Sequence, residues 1–65
     1  MEVTGTVERI RAYFCRRGYK ATVLIDGEEY REERFYGMDG RTVRAEAQRW
    51  LDTAIRFWQR NHKEM

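Results

Sequence analysis

The chain has 65 residues, 42% of them hydrophobic, with 13 Lys or Arg against 11 Asp or Glu for a formal charge of +2. That length allows one small domain, which buries only about 60% of the surface its unfolded chain exposes. A lone cysteine, Cys15, excludes an intramolecular disulfide, and a lone histidine, His62, excludes paired Cys/His metal-ligand spacing, so neither metal nor cofactor is expected. The core then rests on apolar packing, completed by a partner if not by the chain itself, and two Trp, four Tyr and three Phe are its largest contributors. No apolar run approaches a membrane span and the first residues lack a signal peptide's apolar stretch, so a cytoplasmic chain with a reduced thiol and no membrane partner is expected. A net charge of +2 does not demand a polyanionic partner, but residues 1–40 are slightly acidic and residues 41–65 basic.

Residues 3–15 are rich in strand formers. Val3 and Val7 share one parity, whereas Ile10, Ala12 and Phe14 share the other. The switch predicts either a bulge near Glu8-Arg9 or a strand that begins near Val7. Arg16-Arg17-Gly18 follows as a candidate tight turn, with Gly18 free to take a positive φ. Residues 19–25 alternate, Tyr19, Ala21, Val23 and Ile25 on one side and Lys20, Thr22 and Leu24 on the other. Asp26-Gly27 is a strong hairpin signal.

A third strand is predicted over residues 28–36. It reads EEYREERFY, and only Tyr30, Phe35 and Tyr36 offer apolar area. Strict two-residue pairing across Asp26-Gly27 sets Tyr19 opposite Arg34 and Val23 opposite Tyr30. A loop one residue longer sets Tyr19 opposite Phe35, with Ala21 and Val23 facing Glu33 and Arg31. Both registers remain open at this point.

Residues 41–60 form the most periodic stretch. Val43, Ala47, Trp50, Leu51, Ala54, Ile55 and Trp58 recur at spacings of three and four, one broad stripe at about 100° per residue. Phe57 lies on its edge; Ala45, Arg49, Asp52, Thr53, Arg56 and Arg60 occupy the opposite face. A helix over residues 42–60 follows, with the Thr42 hydroxyl as its cap and a polar, fraying tail over 61–65. Trp50, mid-stripe among alanines, is the expected centre of the core. Three antiparallel strands have one face to cover and the amphipathic helix covers it, giving a single two-layer βββα domain of the α+β class.

No residues converge into an enzyme's constellation. Cys15 beside Arg16 and Arg17 has cations that favour thiolate, but a lone Cys at a strand end reads as a small apolar residue. His62 has no acidic or nucleophilic neighbour. Glu28-Glu29 and Glu32-Glu33 are strung along one strand, which suits a charged edge that blocks strand addition better than a cation site. A non-enzymatic binding module is the expectation. Arg9, Arg11, Arg16, Arg17 and Lys20 cluster on the first hairpin among Tyr13, Phe14 and Tyr19, a mixture that grips a nucleic-acid backbone. The helix arginines have Glu46 and Asp52 within reach and read as a solvated face.

Several of these features recur together: Tyr19 opening a strand, a turn at Asp26-Gly27, Phe35 closing the third strand, and a Thr-started helix bearing Thr42, Ala47 and Trp50. Over residues 18–58 they resemble the arm-type DNA-binding domain at the N-terminus of tyrosine-recombinase integrases, and the related three-stranded domain of plant ethylene-responsive transcription factors. The resemblance implies a sheet whose exposed face enters the major groove of double-stranded DNA, with the helix behind it. Lys20, Thr22, Arg31 and Arg34 are the polar positions on which that contact would fall, and a prophage or mobile-element accessory role would follow. The chain departs from such domains in its third strand, where Glu28, Glu29, Glu32 and Glu33 outnumber Arg31 and Arg34, and in lacking a catalytic domain. Either the reading surface is confined to the first hairpin, or the fold is shared and the DNA function is not. The competing expectation is a module that pairs with a second copy or another protein through Phe57, Trp58 and an exposed strand. The direction of the glutamates discriminates the two: if they share the exposed face with the arginines, the surface is mixed and DNA is disfavoured.

Overall fold

Asp26 and Gly27 both take the left-handed region, with φ of 53° and 84°. Positive φ at both central residues gives a turn whose twist matches that of the flanking strands. The structure, a computed structural model, describes residues 2–14 and 16–62, the last two by backbone alone. Around this turn run β1 (Val3–Ile10), β2 (Arg17–Ile25) and β3 (Glu28–Gly37), followed by α1 (Gly40–His62). The strands form one antiparallel sheet in the order β1-β2-β3, and α1 covers one of its faces, the expected βββα architecture.

The pairings of the longer-loop register occur and those of the first, Tyr19 with Arg34 and Val23 with Tyr30, do not, yet the turn itself keeps two residues. Next to the turn, Ile25 faces Glu28 and Leu24 faces Glu29, as two-residue pairing requires. The register then shifts between Val23 and Leu24, and Val23 faces Arg31, Ala21 faces Glu33 and Tyr19 faces Phe35. Tyr30 is the extra residue of this bulge. A bulge disturbs strand alternation, and here Tyr30 and Arg31 both reach helix tryptophans: the Tyr30 ring stands edge-on to Trp58 at 4.5 Å and the Arg31 guanidinium lies 5.7 Å from the Trp50 ring.

β1 behaves differently from expectation. It stops at Ile10 rather than near residue 15, and it pairs with β2 without a break, from Val3 opposite Ile25 to Ile10 opposite Gly18. The parity switch marks neither a bulge nor a late start. Val3 and Val7 pack towards the helix, Ile10 belongs to the other face, and residues 12 and 14 lie in the connection. Asp26 also fastens the start of β1: its N–H donates to the Glu2 carbonyl at 2.8 Å, and its Oδ1 accepts from the Glu2 N–H at 2.8 Å.

The core is Ala21 and Val23 of the middle strand against Ala47 and Leu51 of the helix, with Val43 also buried. Its centre is Leu51, not Trp50. A Cβ placed on Gly5 would come within 2.5 Å of Leu51 Cδ1, so only the hydrogen of glycine leaves Leu51 its seat on the sheet. Trp50 is too bulky for that gap between small side chains; it lies half-buried towards β3, edge-on to Phe35 at 6.2 Å. The helix also begins earlier than Thr42. Asp39 caps it, its Oδ1 accepting from the Arg41 N–H and its Oδ2 from the Thr42 hydroxyl, both at 3.1 Å, so Thr42 donates to the cap and is not itself the cap. At the other end α1 takes in Asn61 and His62, which the sequence assigns to a frayed tail; residues 63–65 lie outside the described residues.

This packing predicts a coupled pair. Leu51→Ala should destabilise by about 2–5 kcal/mol and Gly5→Ala by about 1–3 kcal/mol. The double variant should lose less than the sum in urea denaturation, because removing Leu51 makes room for the new methyl. Gly27→Val, where an added Cβ meets nothing within 4 Å, should still cost about 1–2 kcal/mol through its left-handed backbone alone. A neutral Gly27→Val in the same denaturation series would contradict the turn.

Candidate nucleic-acid interface

The face of the sheet away from α1 divides into two zones. In the middle, Lys20 lies between two carboxylates, 3.0 Å from Glu8 and 3.6 Å from Glu32, and Glu32 also takes Arg34 at 3.3 Å. The strand register puts all four on this one face. The Glu8 carboxylate, as hydrogen-bond acceptor and then as charge, holds the Lys20 ammonium above its usual pKa; desolvation works against it, and Glu32 and Glu29 make smaller contributions to the rise. Two cations thus face two carboxylates, and the zone carries little field outward. Thr22, beside them, is 3% exposed and unavailable to a large partner. Of the third-strand glutamates, Glu29 and Glu32 share this face with Lys20 and Arg34, while the register puts Glu28 and Glu33 on the helix side; the middle of the sheet is therefore the mixed surface that disfavours DNA.

The second zone lies where β1 ends and β2 begins. Residues 11–16 connect the two strands, and the Arg16 N–H donates to the Tyr13 carbonyl at 3.2 Å, closing a turn over Phe14. Phe14 has a φ of 58°. That left-handed conformation is unusual for a bulky side chain and costs on the order of 1–3 kcal/mol. Tyr13 is 74% exposed and Phe14 92%. Arg11, Tyr13, Phe14 and Arg16 line one groove with Tyr36 of β3. Behind Tyr36, a Cβ on Gly18 would meet Ile10 Cγ1 at 3.0 Å and the Tyr36 ring at 3.2 Å. Gly18 is therefore a close-approach residue inside β2, not the positive-φ turn residue that Arg16-Arg17-Gly18 suggests.

Arg9 and Arg17 stand at the same end of the sheet but on its helix side, by their pairing with Tyr19 and Gly37. Arg17 runs beside the first helical residue: a Cβ on Gly40 would lie 3.4 Å from its Cγ. The first helical turn contains no acidic residue and adds Arg41, with Arg44 following. Among the described residues, Arg9, Arg11, Arg16 and Arg17 are exposed and form no ion pair.

Of the eight positions singled out from the sequence, the fold gathers Arg9, Arg11, Arg16 and Arg17 at one end. Lys20 and Arg34 are held in the mid-sheet ion pairs, Thr22 is buried, and Arg31 lies on the helix side over Trp50. Arg31 is thus absent from the face on which a sheet-reading domain would use it. Tyr36, Arg41 and Arg44 were not recognised from sequence. Tyr36 could have been, since its parity in the longer-loop register sets it opposite Gly18 on the open face. Cys15, read as inert, lies outside the described residues. Among the described residues no cluster of His, Cys, Asp or Glu could hold a metal, and no helix is long and apolar enough to cross a membrane.

No protein-family model matches the chain, and searches of the curated proteins and of the solved structures give no match.

Two measurements check this geometry. Phe14→Asn should raise stability by up to about 1 kcal/mol, because Asn tolerates the left-handed region and the Phe14 ring is scarcely buried; a loss of stability would show that the ring packs on the fold. For Lys20, a pKa raised on folding contributes stability that is fully present below the unfolded value near 10.5 and lost as pH rises through the higher folded value. The stability difference between the protein and Lys20→Met should therefore shrink above that pH, and a difference that grew there would contradict the pairing.

Proposed function

We propose that this protein is a small non-catalytic DNA-binding module that grips duplex phosphates with the β1–β2 end of its sheet. The observation that carries the reading is the gathering at that end of Arg9, Arg11, Arg16 and Arg17, which are exposed and form no ion pair among the described residues, next to a helix start that adds Arg41 and Arg44. An arginine whose charge is uncompensated by protein carboxylates exchanges counterions for phosphate contacts and gains affinity from their release. The Lys20–Glu32–Arg34 zone contributes little, since approaching phosphates would meet Glu8 and Glu32 beside each cation. The resemblance to arm-type integrase domains supports the class of ligand, with contact moved from the middle of the sheet to its end. A mobile-element setting would suit such a module.

A second reading is favoured by one feature. Arg31, Trp50, Thr53, Ala54, Phe57 and Trp58 line a shallow groove between α1 and β3, and Phe57 is 63% exposed. A partner protein or second copy covering that groove would bury aromatic area on the side of the molecule away from the mid-sheet ion pairs.

Titration of duplex DNA at several salt concentrations separates the two. Each phosphate neutralised steepens the log–log salt slope by about 0.9. Arg16→Ala with Arg17→Ala should weaken binding and flatten that slope by up to about two units, whereas Lys20→Ala and Arg34→Ala should change it by less than about half a unit. Absence of salt-dependent binding, together with a concentration-dependent size in sedimentation, would replace the DNA reading with the second one.

A further inference from the structure

The connection between β1 and β2 carries two rings that serve neither core nor sheet. Phe14 is 92% exposed and Tyr13 74%, and the turn closed from Arg16 to Tyr13 holds Phe14 in a left-handed conformation at its apex. A flexible polar loop would close the same hairpin without an exposed benzyl group or backbone strain. Strain of this kind persists where the surrounding structure imposes it, and it clusters at sites that contact ligands. Arg11 and Arg16 flank the rings in one groove.

We infer that Phe14, which shares its groove with Tyr13, is a wedge that enters a base step of DNA, so that this end of the sheet selects duplexes carrying a weakly stacked step over fully paired ones. The inference rests on the proposed DNA binding and names its preferred substrate. The chemistry required is an aromatic face for a nucleobase with guanidinium groups beside it for phosphate, and Arg11, Tyr13, Phe14 and Arg16 supply both in one groove. Apolar wedges of this type partly unstack a base step, which costs a few kcal/mol in paired DNA.

A mismatch, bulge or flexible pyrimidine–purine step has already lost part of that stacking, so it is entered at lower cost. A single-strand track would instead need successive aromatic platforms along the path of the strand. Beyond Tyr36, however, the open face continues into Lys20, Thr22, Glu32 and Arg34, which offer no further ring. Insertion into a lipid surface would force Arg11 and Arg16 down with the rings, whereas at a base step each guanidinium meets a phosphate.

The test is fluorescence anisotropy with two 20-base-pair duplexes of matched sequence, one fully paired and one with a single-base bulge, alongside anionic phosphatidylserine vesicles. The bulged duplex should bind about tenfold more tightly. Phe14→Asn and Phe14→Gly, both compatible with the left-handed backbone and checked for folding by thermal melting, should reduce that ratio to about twofold or less. Arg16→Ala should weaken both duplexes by a similar factor and leave the ratio in place. Equal binding of the two duplexes, or a ratio that survives both Phe14 variants in folded protein, overturns the wedge and leaves the DNA-binding proposal standing. Binding to neither duplex overturns both, as does tighter binding to the vesicles than to either duplex.

Discussion

Leu51 sits on the sheet where Gly5 provides no side chain, and the placement of every other part follows from that contact. With Ala21 and Val23 beneath and Ala47 alongside, the helix approaches the middle of the sheet closely enough to seal a core of small residues. So shallow a core has no room for an indole. Trp50 and Trp58 are displaced towards β3, where Phe35, Arg31 and Tyr30 receive them. The aromatic area that a 65-residue chain needs for stability is therefore spent at the flank of the helix. The helix starts beside Arg17, whose side chain lies against Gly40, and Arg41 follows in the same turn.

The bulge at Tyr30 is the second constraint. Without it, strict alternation from the Asp26-Gly27 turn would put Arg31, Glu33 and Phe35 on the open face and Glu32 and Arg34 under the helix. One inserted residue exchanges these sets along most of β3. Phe35 gains the helix, Arg31 gains Trp50, and the open face receives Glu32 and Arg34 opposite Thr22 and Lys20. The outcome is an ion-paired middle in which positive charge is cancelled locally. Among the described residues, the arginines at the β1–β2 end form no ion pair.

How much of this was legible in the sequence depends on the range of the interaction. The Asp26-Gly27 turn, the alternation of β2 and the stripe from Val43 to Trp58 are local signals, and each reads through directly. The register of β3 did not, because its two halves obey different pairings and the sequence marks no bulge at Tyr30. The parity switch in β1 was visible but misassigned: Ile10 packs over Gly18 beside Tyr36, a contact between three strands that one strand's pattern cannot reveal. Leu51 and Trp50 exchanged places as core centre because the void at Gly5 is a tertiary fact. For the interface, clustering of arginines on the first hairpin was legible. Their division into a free end and a paired middle was not, since it depends on Glu8 and Glu32 arriving beside Lys20 from two other strands.

The proposed contact with DNA is confined to the end of the sheet and spares its middle. Backbone amide shifts of the 15N-labelled protein during titration with a short duplex test it residue by residue. The account predicts the largest perturbations over residues 9–18 and in the first turn of α1, with Lys20–Leu24 and Glu29–Arg34 little changed. Perturbations centred on the middle of β2 and β3, with residues 9–18 unmoved, would contradict it.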